Sequence, residues 1–120
     1  MENNYFSRAE FACKCERENC DAVPPESDLI TKLIKLRLEL NKKMIITSGS
    51  RCVEHNQKVG GADNSFHLVG KAVDIKTTSA LHAGQILRLA IKLNFTGIGI
   101  SKNGFIHLDT RPSEFVVFGY

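Results

Sequence analysis

The sequence contains no uninterrupted apolar stretch near the roughly 20 residues that a membrane span requires, so a membrane-spanning helix is not expected. Its first residues, Met1-Glu2-Asn3-Asn4-Tyr5-Phe6-Ser7-Arg8, lack the apolar run of a secretory leader. There is no cluster of lysine and arginine, and 16 basic residues stand against 13 acidic ones, a net charge of +3. That balance argues against a nucleic-acid partner, although a small positive excess suits an anionic surface. Internal repeats, low-complexity tracts and long linkers are absent too, so the 120 residues are read as one domain, 1–120, with an irregular arm over 1–25. The four cysteines, Cys13, Cys15, Cys20 and Cys52, lack the Cys-x2-Cys knuckle of common zinc modules. Free buried thiols, or one disulfide in an oxidising compartment, are expected ahead of a cysteine metal site.

What the sequence does contain is an ordinary 42% of apolar residues, arranged in periodic segments. From Glu26 to Leu40, Leu29, Leu33, Leu36 and Leu40 fall on one helical face beside Ile30 and Ile34, with Pro25 at its start and Asn41 at its end. Met44 to Thr47 is a short strand-like run, followed by a polar, glycine-bearing stretch from Arg51 to Gly70. A strand over Lys71–Lys76 precedes a second amphipathic helix, Ser79 to Leu93, whose apolar side carries Ala83, Ile86, Leu87, Ala90 and Leu93. Three short strands complete the chain, Gly97–Ile100, Gly104–Thr110 and Phe115–Phe118, with Asn103-Gly104 marking a tight turn. Helices segregated from a run of hairpin strands imply an α+β fold with a small, mainly antiparallel sheet packed with helices.

Two segments carry candidate chemistry. In Gly104–Arg111, side-chain alternation sends Ile106 and Leu108 to the core and aligns His107, Asp109 and Arg111 on the other face. In Ser65–Asp74, His67 lies in the glycine-bearing stretch and Asp74 within a strand, flanked by Val73 and Ile75. A carboxylate there is costly to bury unless it is paired or binds a metal. Two histidines and one carboxylate form a standard catalytic zinc set, leaving a fourth position open. His55 in a polar loop and His82 in a helix are read as structural or solvent-facing.

The pattern Ser65-x-His67-x2-Gly70-x-Ala72-x-Asp74, with His107 downstream, resembles the signature of the zinc D-Ala-D-Ala carboxypeptidases and L-alanyl-D-glutamate peptidases. The hedgehog signalling domain shares their superfamily. Thr47-Ser48-Gly49-Ser50-Arg51-Cys52-x2-His55-Asn56 and Val59-Gly60-Gly61-Ala62 resemble the family's Ser-Gly-Tyr-Arg segment and its continuation. Glu10-Phe11-Ala12-Cys13 resembles the arm of its compact, single-domain members, so the likeness runs from about Phe6 to Arg111.

The resemblance implies a hedgehog/DD-peptidase-like fold with one catalytic Zn2+ held by His67, Asp74 and His107. It implies hydrolysis of amide bonds in peptidoglycan stem peptides, with Arg51 binding a substrate carboxylate or stabilising the oxyanion, and Ser65 orienting His67 or touching substrate. Many members carry a carboxylate as general base three residues before the last histidine, where this chain has Gly104. Members with His-x-His have a histidine where this chain has Phe105, and Ser50 replaces a frequent tyrosine. Asp109 is the nearest carboxylate and stands as base, as the group that holds a ligand, or as a salt-bridge partner of Arg111 or Arg51. The rival reading is a catalytically weak or inactive zinc-binding module that recognises wall peptides or a protein; a cysteine-based zinc-binding interaction protein is another. A monomer is expected. With no leader recognised, the protein is expected to be cytoplasmic as synthesised, either recycling wall peptides or phage-encoded and delivered to the wall by other means.

Overall fold

A computed structural model describes residues 5–119; residues 1–4, where the expected arm begins, and Tyr120 lie outside the described residues. The elements are α1 (Arg8–Phe11), α2 (Ser27–Leu40), β1 (Ile46–Ser48), α3 (Val53–Lys58), a 3₁₀ turn (Phe66–Val69), β2 (Ala72–Lys76), α4 (Ala80–Lys92), β3 (Gly97–Ser101), β4 (Phe105–Asp109) and β5 (Val116–Gly119).

Helix α2 follows from its leucine spacing: Leu29, Ile30, Leu33, Leu36 and Leu40 are all buried. Asn41 ends it in the left-handed region at φ 56°, a conformation asparagine tolerates, with its N–H on the Arg37 carbonyl. Ser79 caps α4 by accepting from the His82 N–H at 3.1 Å. The His82 ring in turn accepts from the Thr78 N–H at 3.1 Å, which gives this histidine a structural role.

The sheet has five strands in the order β1-β2-β4-β3-β5. The β1–β2, β2–β4 and β4–β3 pairs are antiparallel, as the α+β reading requires. The β3–β5 pair is parallel, which the reading of three successive strands did not include. One sheet face supplies Val73, Ile75, Ile106 and Leu108 to a core shared with α2 and α4. By alternation the other face of β2 and β4 carries Asp74, His107 and Asp109. Leu33→Ala, at a fully buried position, is expected to lower unfolding free energy by about 2–5 kcal/mol, read by urea denaturation.

Two segments are more ordered than expected. The stretch from Arg51 to Gly70 contains α3 and the 3₁₀ turn, with the Cys52 sulfur accepting from the His55 N–H at the start of α3. The arm contains α1, and its Phe6 and Phe11 enter the core with ring centroids 5.7 Å apart. Phe11 also accepts from the Ser50 N–H at 2.9 Å, tying the arm to the loop after β1. A Cβ at Gly49 would collide with the Phe11 backbone, so this contact requires glycine. Among the described residues no helix is long and apolar enough to cross a membrane.

Candidate active site

Asp74 and His107 are directly opposed across the β2–β4 pair, so their side chains rise together from the polar face. His67 comes from the 3₁₀ turn. Ser65 caps that turn by accepting from the His67 N–H at 3.2 Å. Gly70 ends it at φ +73°, where Pro24 also approaches too closely for any side chain. The three side chains are buried, at 2%, 5% and 6% exposure for His67, Asp74 and His107. One donor atom from each lies within 4.8 Å of the others.

Each ring is held from behind. His67 Nδ1 lies 2.7 Å from the Gly49 carbonyl oxygen. A carbonyl only accepts, so Nδ1 donates to it, and Nε2 lies 3.3 Å from Asp74 Oδ1, where a proton makes a hydrogen bond to the carboxylate and its loss frees a lone pair. His107 Nε2 donates to Asp109 Oδ2 at 2.7 Å, leaving Nδ1 at 3.2 Å from the same Asp74 oxygen. Asp74 Oδ1 thus sits between two imidazole nitrogens. Its other oxygen accepts from Arg51 at 3.2 Å.

Asp109 is fully buried behind His107. Besides the imidazole it accepts the Arg111 backbone N–H at 3.1 Å and both arms of the Arg111 guanidinium, at 2.9 and 2.7 Å. Space for this carboxylate comes from Gly97, its partner across β3–β4, where a Cβ would run into both Asp109 oxygens. Arg111 also stacks on Phe66 and Phe118, 4.6 and 5.5 Å from their ring centres.

The charges are arranged to keep both carboxylates ionised. Burial raises the Asp74 carboxyl, but hydrogen bonds from His107 and His67 outweigh it and hold the group well below the usual carboxylate range. Burial likewise raises Asp109, and the bonds from His107 and Arg111 overcome it. Burial lowers His107, yet its bonds to Asp109 and Asp74 raise its proton affinity overall. Two imidazole nitrogens, which give up their outward protons to an ion, and one ionised oxygen converge at this spacing with both rings fixed by hydrogen bonds from behind, and they fit a divalent metal ion.

The site opens on a cleft of about 680 Å³ whose wall includes Arg51, Gly61, Phe66, Phe105, Arg111 and Phe118. Arg51 bridges three partners there, Ser48 Oγ at 3.1 Å, Asn56 Oδ1 at 3.2 Å and Asp74 Oδ2. Its fork therefore braces the carboxylate, and a Cβ at Gly61 would strike Asn56 and crowd Arg51. Ser65 lines the same cleft, whereas Ser50 faces a separate one beneath the arm with Phe11 and Cys13. His55 lies on α3 outside the cleft. Asn56, Arg111, Phe66 and Phe118 are site residues beyond the predicted set. Arg111, just past β4, had a signal in its alternation with His107 and Asp109, and Asn56 in its place in the segment that follows Arg51.

No curated protein matches the chain. The sequence profile described as Peptidase M15 matches residues 4–109, most of the 120 residues and all of the buried cluster. M15 peptidases are metal-dependent, as the fit of His67, Asp74 and His107 to a metal ion would require. The chain belongs to the peptidase M15 family.

Proposed function

We propose that this chain is a zinc-dependent peptidase hydrolysing amide bonds in peptidoglycan stem peptides, of the D-Ala-D-Ala carboxypeptidase or L-Ala-D-Glu endopeptidase type. The observation that carries the reading is the convergence of His67, Asp74 and His107 at the foot of an open cleft. His67 through Nε2, His107 through Nδ1 and Asp74 through Oδ1 are the atoms that would hold the ion. When bound, zinc supplies Lewis acidity, polarising a carbonyl and acidifying water near neutral pH.

The remaining chemistry belongs to the chain. Arg51 braces Asp74 and places a guanidinium at the cleft wall, where it complements negative charge developing on the carbonyl oxygen. Stem peptides carry free carboxylates, for which Arg51 and Arg111 are the guanidinium groups that line the cleft. Phe66, Phe105 and Phe118 give the peptide backbone an apolar surface to lie against. Ser65 caps the turn that presents His67. Asp109, enclosed by Arg111, fixes the His107 ring and does not line the cleft, which supports a positioning role over that of base.

One observation favours the rival reading of a zinc-loaded module with little turnover. Among the described residues, Asp74 is the only carboxylate lining the cleft, and Gly104 occupies the position where many relatives have a base. Mass spectrometry of purified peptidoglycan digested with added zinc, with chelator and with His67→Ala separates the two. A zinc-dependent product absent from the variant is expected, and its mass names the bond. Zinc-loaded protein that binds wall peptides without releasing any product would replace the enzyme by the module.

Gly97→Ala tests the support behind the ligands. It is expected to displace Asp109 and to weaken metal binding at the histidine site by about 10–100-fold, measured by competition with a chromogenic chelator.

A further inference from the structure

A second cluster of metal-binding side chains lies outside the cleft. Cys13, Cys15 and Cys20 from the arm and Cys52 from the start of α3 each place a sulfur within 4.8 Å of the other three. None is disulfide-bonded. Cys13 and Cys52, 39 residues apart in sequence, bring their sulfurs to 3.8 Å. Four thiolates around one zinc at about 2.3 Å leave tetrahedral sulfur–sulfur edges of about 3.8 Å.

The surroundings are those of a thiolate site. Backbone N–H groups point at the sulfurs, Arg17 N–H at Cys15, Cys52 N–H at Cys13 and His55 N–H at Cys52, each at 3.4 Å. The Arg17 guanidinium lies 3.2 Å from Cys52 Sγ, where it offsets the net negative charge of four thiolates on a divalent ion. Glu16 has φ 62°, a region non-glycine residues rarely enter, and this turn directs the Arg17 N–H back onto Cys15. Between α1 and α2 the arm has no regular element, and its neighbourhood of sulfurs supplies a reason for it to adopt one shape.

We propose that Cys13, Cys15, Cys20 and Cys52 bind a structural zinc ion that clamps the N-terminal arm to the loop carrying Arg51. The spacing Cys-x-Cys-x4-Cys plus a distant fourth ligand departs from ordinary knuckles, and only the folded chain assembles it. The clamp is tied through the chain to the predicted catalytic centre. Cys52 follows Arg51 in the chain, and the arm's Phe11 packs on Gly49, whose carbonyl orients His67.

The test uses the full chain purified from zinc-supplemented cells, with metal counted by elemental analysis and native mass spectrometry. His67→Ala is expected to retain one zinc per chain, and Cys15→Ser to lose that ion. Because Cys15→Ser could also unfold the chain, the decisive reading comes from cobalt(II) exchanged into His67→Ala with its cysteines intact. Intense thiolate-to-cobalt charge transfer in the near ultraviolet, with strong tetrahedral bands in the visible, is expected. Cys15→His, which keeps a fourth ligand, should retain the ion and weaken the charge-transfer band. Absence of that band, iron as the resident ion, or masses lowered by disulfide formation would each overturn the proposal. Failure of peptide hydrolysis alone would leave these readings unchanged, because they arise from a different set of residues.

Discussion

His67→Ala is expected to abolish metal-dependent hydrolysis while leaving the chain folded. His67 supplies one of three converging donors, and its ring is fixed by a carbonyl 2.7 Å away. Removing it leaves one nitrogen and one carboxylate, too few to hold a divalent ion against buffer. Metal assistance contributes several kcal/mol of transition-state stabilisation. A loss of about 4 kcal/mol corresponds to about a thousandfold in rate at 1.36 kcal/mol per decade. Turnover of a stem peptide followed by mass spectrometry should therefore fall at least about a thousandfold. The circular dichroism spectrum should remain that of the parent. A variant retaining a tenth of the parent's rate would contradict the assignment of His67 as a ligand.

Asp109→Asn is expected to separate two roles that sequence reasoning left open. The carboxylate accepts from His107 and from three Arg111 donors while fully buried. Neutralising it leaves the Arg111 charge only partly compensated, and breaking a buried pair costs about 3–5 kcal/mol. Thermal unfolding should register that loss. With His107 less firmly held, affinity for the catalytic metal should fall by about 10–100-fold. If Asp109 positions the ring, excess zinc restores most of the rate. If it were the base, the rate would stay down by about 10²–10⁴ even at saturating zinc.

The catalytic cluster was legible because it rests on local periodicities. Alternation along β4 separated His107 and Asp109 from Ile106 and Leu108, and the cost of burying Asp74 marked β2. What brings these residues together is strand register, which no local pattern encodes. The opposition of Gly97 and Asp109, and the parallel pairing of β3 with β5, depend on how a connection returns across the sheet. Helix α3 escaped prediction because its six residues show no clear apolar period and its cap is a cysteine sulfur instead of a Ser, Thr, Asp or Asn. The cysteines were read by spacing alone, which compared Cys13, Cys15 and Cys20 with a known knuckle. Cys52 joins them only through the packing of the arm against the β1–α3 loop.

Arg51 shows how a residue can be found without its contacts. Its place after the Ser-Gly-Ser segment suggested contact with substrate, and it does line the cleft. Its three hydrogen bonds, to Ser48, Asn56 and Asp74, reveal a bracing function that spacing could not express.

Anomalous X-ray diffraction at the zinc edge, from crystals of the zinc-loaded protein, is the most direct test of the proposed catalytic centre. A peak within bonding distance of His67 Nε2, Asp74 Oδ1 and His107 Nδ1 is the predicted result. A fully zinc-loaded crystal with no anomalous density among those three atoms would contradict the metal-dependent mechanism built on them.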